Sequence, residues 1–591
     1  MHSILKSRYP QGKGGAMQYR WIFPVVLLFA AAAPAEIISD ARRIRWAPGV
    51  PGGIPDVTGP VENVVIDHGA AADGTTDDLD AFQSAVDAIT GEGVVFVPAG
   101  AYMLNGTLDM KSGVVLRGRG YDSTFLTFDL GGQSASCVEF VTYQRGEWVG
   151  ITGGSDKGST SLTVADGSSF SEGDFVEVQQ PNDAYFMYTD PAWIQDWADN
   201  SVGQIATVAS VDGNTITLDQ ALHIDFRQEL APVIRTQGFV TYAGVEYLHI
   251  EKVDANSDGS TFHFKNAAYC WVRAVESKHT RKCHVSCETA FACEFRDSYF
   301  HHSYDYGGGG HGYGVNLGRH ATSCLTENNI FRHLRHSMLV QVGANGNVFG
   351  YNYSIENVQG TGETNLNQGW TPCDISMHGH YPFMNLFESN LVQEIDIADY
   401  WGPCGPGNTV FRNGVESEGI DVLDHSHTQN IVGNIVGSGE NCIRVHSSVD
   451  DVLLHGNTED GTVQWDAGIA DHDLPESYYL LSKPSFLGDR PWPLFGPDAA
   501  GTHQLPAQDR YEDGDYVPSE PVRPLTPRVY RATPGDRRVR VYDLRGATVT
   551  VLPGGRALDA HTLHSRLRGL PSGVYVIRTV GPVNSRLPFV H

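Results

Sequence analysis

Asparagine returns at a nearly constant interval in the second half of the chain, at Asn328, Asn352, Asn390, Asn413, Asn434 and Asn457. Each follows a short apolar run such as Val348-Phe349, Leu386-Phe387 or Ile431-Val432. The spacings are 24, 38, 23, 21 and 23 residues. Self-similarity at this period marks a solenoid, in which each repeat is one supersecondary unit stacked on the last. At about 3.3 Å per strand residue, some 22 residues suit three short strands with tight bends. Stacked coils place like side chains above one another, so asparagine amides can hydrogen-bond along the stack. These features predict a right-handed parallel β-helix, whose long shallow face suits an extended polymer.

A chain of 591 residues exceeds one ordinary core unless that core is a solenoid, and 66 glycines suit many turns. The formal charge of -28 argues against a nucleic-acid partner, which needs a basic face. Near the start, Met17-Gln18-Tyr19-Arg20 forms a basic n-region. Trp21 to Ala33 is apolar, and Ala33-Pro34-Ala35 supplies small residues for cleavage. Residues 1–35 are therefore expected to be an extension plus signal peptide. The remainder is expected to be secreted or at the cell surface, with no transmembrane span.

Nine cysteines leave at least one unpaired within the chain. Cys270, Cys293 and Cys324 hold equivalent places in successive coils, which suits an interior ladder of small apolar side chains; adjacent rungs could join as one disulfide. Cys283 and Cys287 lack a second close pair, so no metal is assigned to the thiols.

Residues 36–483 are expected to form the β-helix domain. Phe82, Ala85, Val86 and Ile89 share one face of an N-terminal helix that would cap the open end of the solenoid, with Asp77 or Asp78 capping the helix. Alternating strands around Gly and Asp turns predict a β insertion over 150–230. Its aromatic stretch (Tyr185, Phe186, Tyr188, Trp193, Trp197) is read as local packing before sugar platform. Nine prolines between 484 and 535 suggest an extended linker over 484–527. A C-terminal β-sandwich-like module over 528–591 carries eleven Arg against three Asp.

The segment Gly69-Ala70-Ala71-Ala72-Asp73-Gly74-Thr75-Thr76-Asp77-Asp78, with the following helix and Val97-Pro98-Ala99-Gly100-Ala101-Tyr102, resembles the start of the pectate lyase-like superfamily. That superfamily includes rhamnogalacturonase- and epimerase-like right-handed β-helices, alongside lyases, hydrolases and tailspikes, so the resemblance implies fold before reaction. Its polygalacturonase-type hydrolases carry Asn-x-Asp, Asp-Asp, Gly-His-Gly and Arg-Ile-Lys motifs. Only His378-Gly379-His380 and Ile443-Arg444-Val445-His446 echo them, so that subfamily is not indicated. The stretches Val541-Tyr542-Asp543-Leu544-Arg545-Gly546 and Leu570-Pro571-Ser572-Gly573-Val574-Tyr575-Val576 resemble the sorting domain of type IX secretion substrates. This implies delivery through an outer-membrane secretion machinery, although the chain lacks the usual basic final residues; a small carbohydrate-binding β module for attachment is the alternative.

If Val285, Val340, Ile375, Val422 and Val445 point inward, alternation puts His284, Gln341, Asp374, Asp421, Arg444 and His446 on one outer face, with Asp396 or Asp399 joining them. Long loops add His301, His302, Tyr304, Tyr306, His311 and Tyr313, then Arg335 and His336, then His378, His380 and Trp401. Gly307 to Gly310 lack the Lys and Ser/Thr of a phosphate loop.

Two chemistries compete on an extracellular polysaccharide. In β-elimination on a uronic polymer, Arg335, or a calcium ion held by Asp374, Asp396 and Asp421, neutralises the carboxylate. His284, Tyr306, His311 or Lys282 takes the proton. In hydrolysis, Asp374 pairs with Asp396 or Asp421; rungs about 4.8 Å apart bring neighbouring carboxylates near the roughly 5–5.5 Å of retaining enzymes. Lys282, Tyr304, Tyr313, His336, His378, His380, Trp401 and Arg444 are the expected sugar contacts. Elimination is the leading expectation. A pure sugar binder with the same groove is the third alternative.

Overall fold

The computed structural model describes residues 37–184, 187, 190–358, 373–398, 401–437, 442–501 and 503–518, with four later strands. The signal segment, Tyr185, Phe186, Tyr188, Asp399 and Tyr400 lie outside the described residues.

The chain winds as a right-handed parallel β-helix of three ladders, here called sheets A, B and C. Sheet A runs from Val61–Asn63 to Leu453–His455, and sheet B from Asp73–Asp77 to Asn457–Glu459. Sheet C runs through Leu108–Asp109, Val138–Val141, Phe262–Lys265, Cys283–Glu288, Tyr313–Leu317, His336–Val340, Ile375–Met377, 395–397, 420–422 and Ile443–Val445. Inward-facing aliphatic and aromatic side chains of all three sheets form one continuous core, from Val95 and Leu116 to Val422 and Val436.

The asparagine stack exists, with its first rung shifted by one residue. Nδ2 of Asn329 donates to Oδ1 of Asn352 at 3.0 Å, and the chain continues through Asn390, Asn413, Asn434 and Asn457 at 2.9–3.0 Å. Asn328, the expected rung, turns outward at φ +57°, donates to Asp297 and accepts from Arg510. A second ladder, invisible to the single-register reading, links Asn347, Asn385, Asn408 and Gln429 at the corner entering sheet A. Both ladders are buried and give polar backbone at the corners its partners.

The helix Leu79–Ala88 buries Phe82, Ala85 and Val86 against the first coils. Asp77 accepts from the amide of Leu79, while Asp78 accepts from Ala71 and Ala72 and so ties the preceding loop. Strands Val149–Gly153, Ser161–Val164, Phe175–Gln179, Gly203–Asp212, Thr215–Leu218 and Val233–Thr236 close into a barrel. Phe383 and Met384 of the β-helix enter the barrel's core, which fixes it against the corner between sheets C and A.

Residues 484–518 are not an extended linker. They form a strap that buries Leu487, Leu494, Phe495, Leu505 and Val517 against sheet B tyrosines and includes the helix Pro506–Asp513. Prolines there set bends in a packed segment, and fully buried Arg412 reaches Asp498 with both terminal nitrogens at 2.6 and 2.8 Å. The described strands further on, Arg538–Asp543, Thr548–Pro553, Val574–Thr579 and Arg586–Val590, make one four-stranded antiparallel sheet. All nine cysteines are buried and free, so the rungs Cys270, Cys293 and Cys324 carry no disulfide. No helix among the described residues is long and apolar enough to cross a membrane.

Candidate active site on sheet C

One outward row of sheet C is defined by strand register. It reads His263, Ser286, Asn316, Leu339, Ser376, Asp396, Asp421 and Arg444 on successive strands. Val285, Val340, Ile375 and Val422 point inward, as alternation predicts, whereas Val445 on the last coil is 37% exposed. Asp396 and Asp421 are direct register partners. Glu394 lies two residues before Asp396 on the same strand and therefore on the same side. One oxygen from each of Glu394, Asp396 and Asp421 lies within 4.8 Å of the others. Glu394 and Asp396 are buried, while the Asp421 side chain is 17% exposed. Arg444, one rung further, donates from Nε to Oδ1 of Asp421 at 2.7 Å and from Nη2 to the other oxygen. The three carboxylates raise the affinity of Arg444 for its proton, chiefly through the hydrogen bond to Asp421.

Asp374 is elsewhere. It sits in the corner between sheets B and C, fully buried. Its carboxylate accepts from Ser354 Oγ at 2.5 Å and from the amides of Gln393 and Glu394 at 2.7 and 3.0 Å. Burial pushes its pKa up. His284 occupies a related corner. Its Nδ1 lies 2.8 Å from Ser277 Oγ, and its Nε2 donates to the carbonyl of His302 at 3.1 Å; burial holds its pKa well below the ordinary value. Neither faces the groove, because the chain bends from sheet B into sheet C there and the first side chains after the bend still point inside.

The loop residues expected to move protons are engaged in packing. The Tyr306 hydroxyl is buried and accepts from the amide of Ser303 at 2.9 Å. His311 lies 2.9 Å from Asp258 and 3.0 Å from Asp305, and Lys282 lies 3.4 Å from Asp258. Buried Arg335 donates to the carbonyl of Gly307 at 2.6 Å and lies over the Tyr313 ring. Tyr304 stacks on His279 and donates to the carbonyl of Lys252.

Two expected groups do assemble beside the row. His336, His378 and buried Tyr313 form one aromatic cluster with centroids 5.1–6.2 Å apart, and His336 Nδ1 donates to the carbonyl of Cys373. His378 stands two residues beyond Ser376, the register partner of Asp396. His380 stacks on Trp401 at 6.1 Å, and both meet the edge of Trp197 at 4.5 and 5.6 Å. Trp197 comes from the barrel, is 45% exposed, and is held where Arg319 donates to its carbonyl at 2.6 Å. Trp193 is buried. The barrel loop thus contributes one exposed aromatic face to the wall of sheet C. Glu394 and Trp197 are the residues that sequence reasoning missed as site members. Glu-x-Asp alternation within an otherwise apolar strand was the available signal for the first.

The coils form a right-handed parallel β-helix, and residues 62–163 match the family model described as rhamnogalacturonase A/epimerase, pectate lyase-like. Among solved structures, the chain is similar to the tailspike of Pseudomonas phage phi297, at 16% identity and TM-score 0.45, covering 68% of this chain and 70% of that one. An exopolygalacturonase from Thermotoga maritima aligns at 12% identity and TM-score 0.34, covering 70% of this chain and 95% of that one. A mannuronan C-5 epimerase A-module from Azotobacter vinelandii aligns at 12% identity and TM-score 0.24, covering 67% and 98%. No curated protein sequence matches the chain.

Proposed function

We propose that the protein is an extracellular glycoside hydrolase that cuts a polysaccharide lying along sheet C, with Asp396, Asp421 and Glu394 as its reacting carboxylates. The observation that carries this reading is the convergence of those three groups on neighbouring rungs, within 4.8 Å of one another. Hydrolysis of a glycosidic bond needs one carboxyl group to protonate the leaving oxygen and a second, ionised, to attack carbon or activate water. Buried Glu394 and Asp396 stand where a proton donor to the leaving oxygen would act. Asp421, which accepts from the Arg444 guanidinium, stands beside them as the second carboxylate. Trp197 and Trp401 supply stacking faces for sugar rings next to the reacting rungs.

Elimination, the leading expectation from sequence, is the weaker reading. Its proposed bases His284, Tyr306, His311 and Lys282 are tied up away from the trio, and so is its neutraliser Arg335. The calcium set expected from sequence, Asp374 with Asp396 and Asp421, is broken, since Asp374 spends its oxygens on Ser354 and two amides and Asp421 turns both of its own to Arg444. We therefore assign no metal to the groove. Export rests on the signal segment and the resemblance of the C-terminal module to a sorting domain.

The test is a panel of neutral and uronic polysaccharides incubated with the full chain and with Asp396→Asn, following reducing ends and ultraviolet absorbance together, with and without chelator. Reducing ends that appear without new absorbance, and vanish in the variant, are expected. Absorbance that rises with the reducing ends would replace hydrolysis by elimination. Binding without turnover on any polymer would make the groove a recognition surface.

A further inference from the structure

The long loop motif His301-His302 takes no part in the groove chemistry. It lies on the outer face of sheet B, in the strand Tyr299–Ser303. His301 Nδ1 and His302 Nδ1 face each other at 2.9 Å. The opposite nitrogen of His301, Nε2, lies 3.2 Å from Glu276 Oε1, and the other oxygen of Glu276 lies 2.9 Å from His249 Nδ1. With Nε2–H donated to Glu276, the Nδ1 of His301 presents a lone pair to His302. A rung earlier, His279 stands at the equivalent left-handed position, φ +53° against +59° for His302, with its Nδ1 3.0 Å from Glu251 Oε1. The ring centroids of His279 and His302 are 5.9 Å apart, edge to face.

A carboxylate that fixes the tautomer of an imidazole is the usual outer partner of a metal-bound histidine. Here Glu276 stands in that way behind His301, while Glu251 holds Nδ1 of His279 in its present orientation. Two imidazoles on one tetrahedral zinc ion at 2.0–2.1 Å have nitrogens about 3.3 Å apart, so the His301–His302 pair needs only a small spread to share an ion.

We propose that His301 and His302 form a chelating pair for a divalent transition-metal ion of the zinc, cobalt or copper kind, completed by His279 after a turn of its ring and by water. Imidazole sites select these ions over calcium and magnesium. The site lies on a different sheet from Asp396 and Asp421, and it bridges the strands Trp271–Thr280 and Tyr299–Ser303, so its occupancy staples adjacent coils.

The test uses the untagged full chain, titrated with zinc chloride by calorimetry and with cobalt chloride by visible absorption. One equivalent bound, a nitrogen-rich tetrahedral cobalt spectrum and a rise in Tm are expected for the wild type. His302→Asn keeps a residue that tolerates positive φ and is expected to abolish the cobalt spectrum. Glu276→Gln leaves both ligands in place and is expected to weaken affinity about 10–100-fold. Asp396→Asn is expected to bind as the wild type does. The proposal falls if the wild type binds no zinc or cobalt, if His302→Asn binds unchanged, or if Asp396→Asn alone loses the ion.

Discussion

Asp374 and Asp396 belong to neighbouring coils, each next to an inward isoleucine of sheet C, and they have opposite employment. Asp374 precedes Ile375, sits in the bend, and spends its oxygens on a serine and two amides of adjoining coils. Asp396 follows Ile395 inside the strand and meets two other carboxylates on the outer face. Both are buried, so burial does not separate them. Their difference teaches that in a β-helix the corner and the face are distinct environments. Polar groups at corners satisfy backbone, as the asparagine ladders do, while Glu394 and Asp396 on the face meet a third carboxylate, Asp421, and its Arg444 partner.

The sharpest way to break this comparison is to neutralise each aspartate. Asp396→Asn is expected to lower turnover about 10³-fold, in the usual range for loss of an acid or base, with Tm nearly unchanged. Asp374→Ala reverses the pattern: it leaves a serine and two amides without their acceptor and is expected to cost about 3 kcal/mol of stability in denaturant unfolding. Comparable losses from both variants in both assays would erase the distinction between corner and face.

A pH titration probes a third environment, the outer face of sheet A beneath Tyr478 and Tyr479. Burial pushes Glu327 and Glu388 up to about 7, outweighing Arg296 and Arg412 nearby. Carboxyl groups held neutral in the fold contribute stability that is full below the ordinary carboxylate range and is lost as pH rises through about 7. Tm is therefore expected to decline between pH 5 and pH 8, and Glu388→Gln is expected to flatten that decline. A rise over the same interval would mean that Glu327 and Glu388 are ionised in the fold. The smallest expected effect is at the wall, where Trp197→Ala should raise KM roughly 3–10-fold with kcat little changed, the loss of about one stacking contact. Unaltered KM on every active polymer would return Trp197 to simple packing.

Much of the architecture was legible because stacking repeats a constraint. The asparagine period, the inward Val285, Val340, Ile375 and Val422, and the helix face Phe82, Ala85 and Val86 all follow from alternation and period. Alternation fails where the chain turns, so it placed Asp374 and His284 in the groove, and it put the first ladder rung at Asn328 when Asn329 carries it. Glu394 escapes that pattern because it lies two residues before Asp396, next to the corner and not in the middle of the strand's outward row. The strap was misread because proline content reports backbone geometry and says nothing of what the intervening Leu487, Leu494 and Phe495 bury.

The strap also has a bearing on the order in which this molecule is made. Coils can stack one upon another as the chain emerges, each needing only its predecessor. The strap and the turn just before it do not follow that order: the Tyr479 hydroxyl reaches back to Glu327, and from the strap Trp492 reaches Tyr351 and Arg510 reaches Asn328, across 152, 141 and 182 residues. Those early coils keep Glu327 and their sheet B tyrosines facing water until more than a hundred further residues have been added. Closure of the outer surface is therefore a late event that a shortened chain never reaches, and an incomplete copy differs from a finished one in the polar and aromatic surface it leaves uncovered.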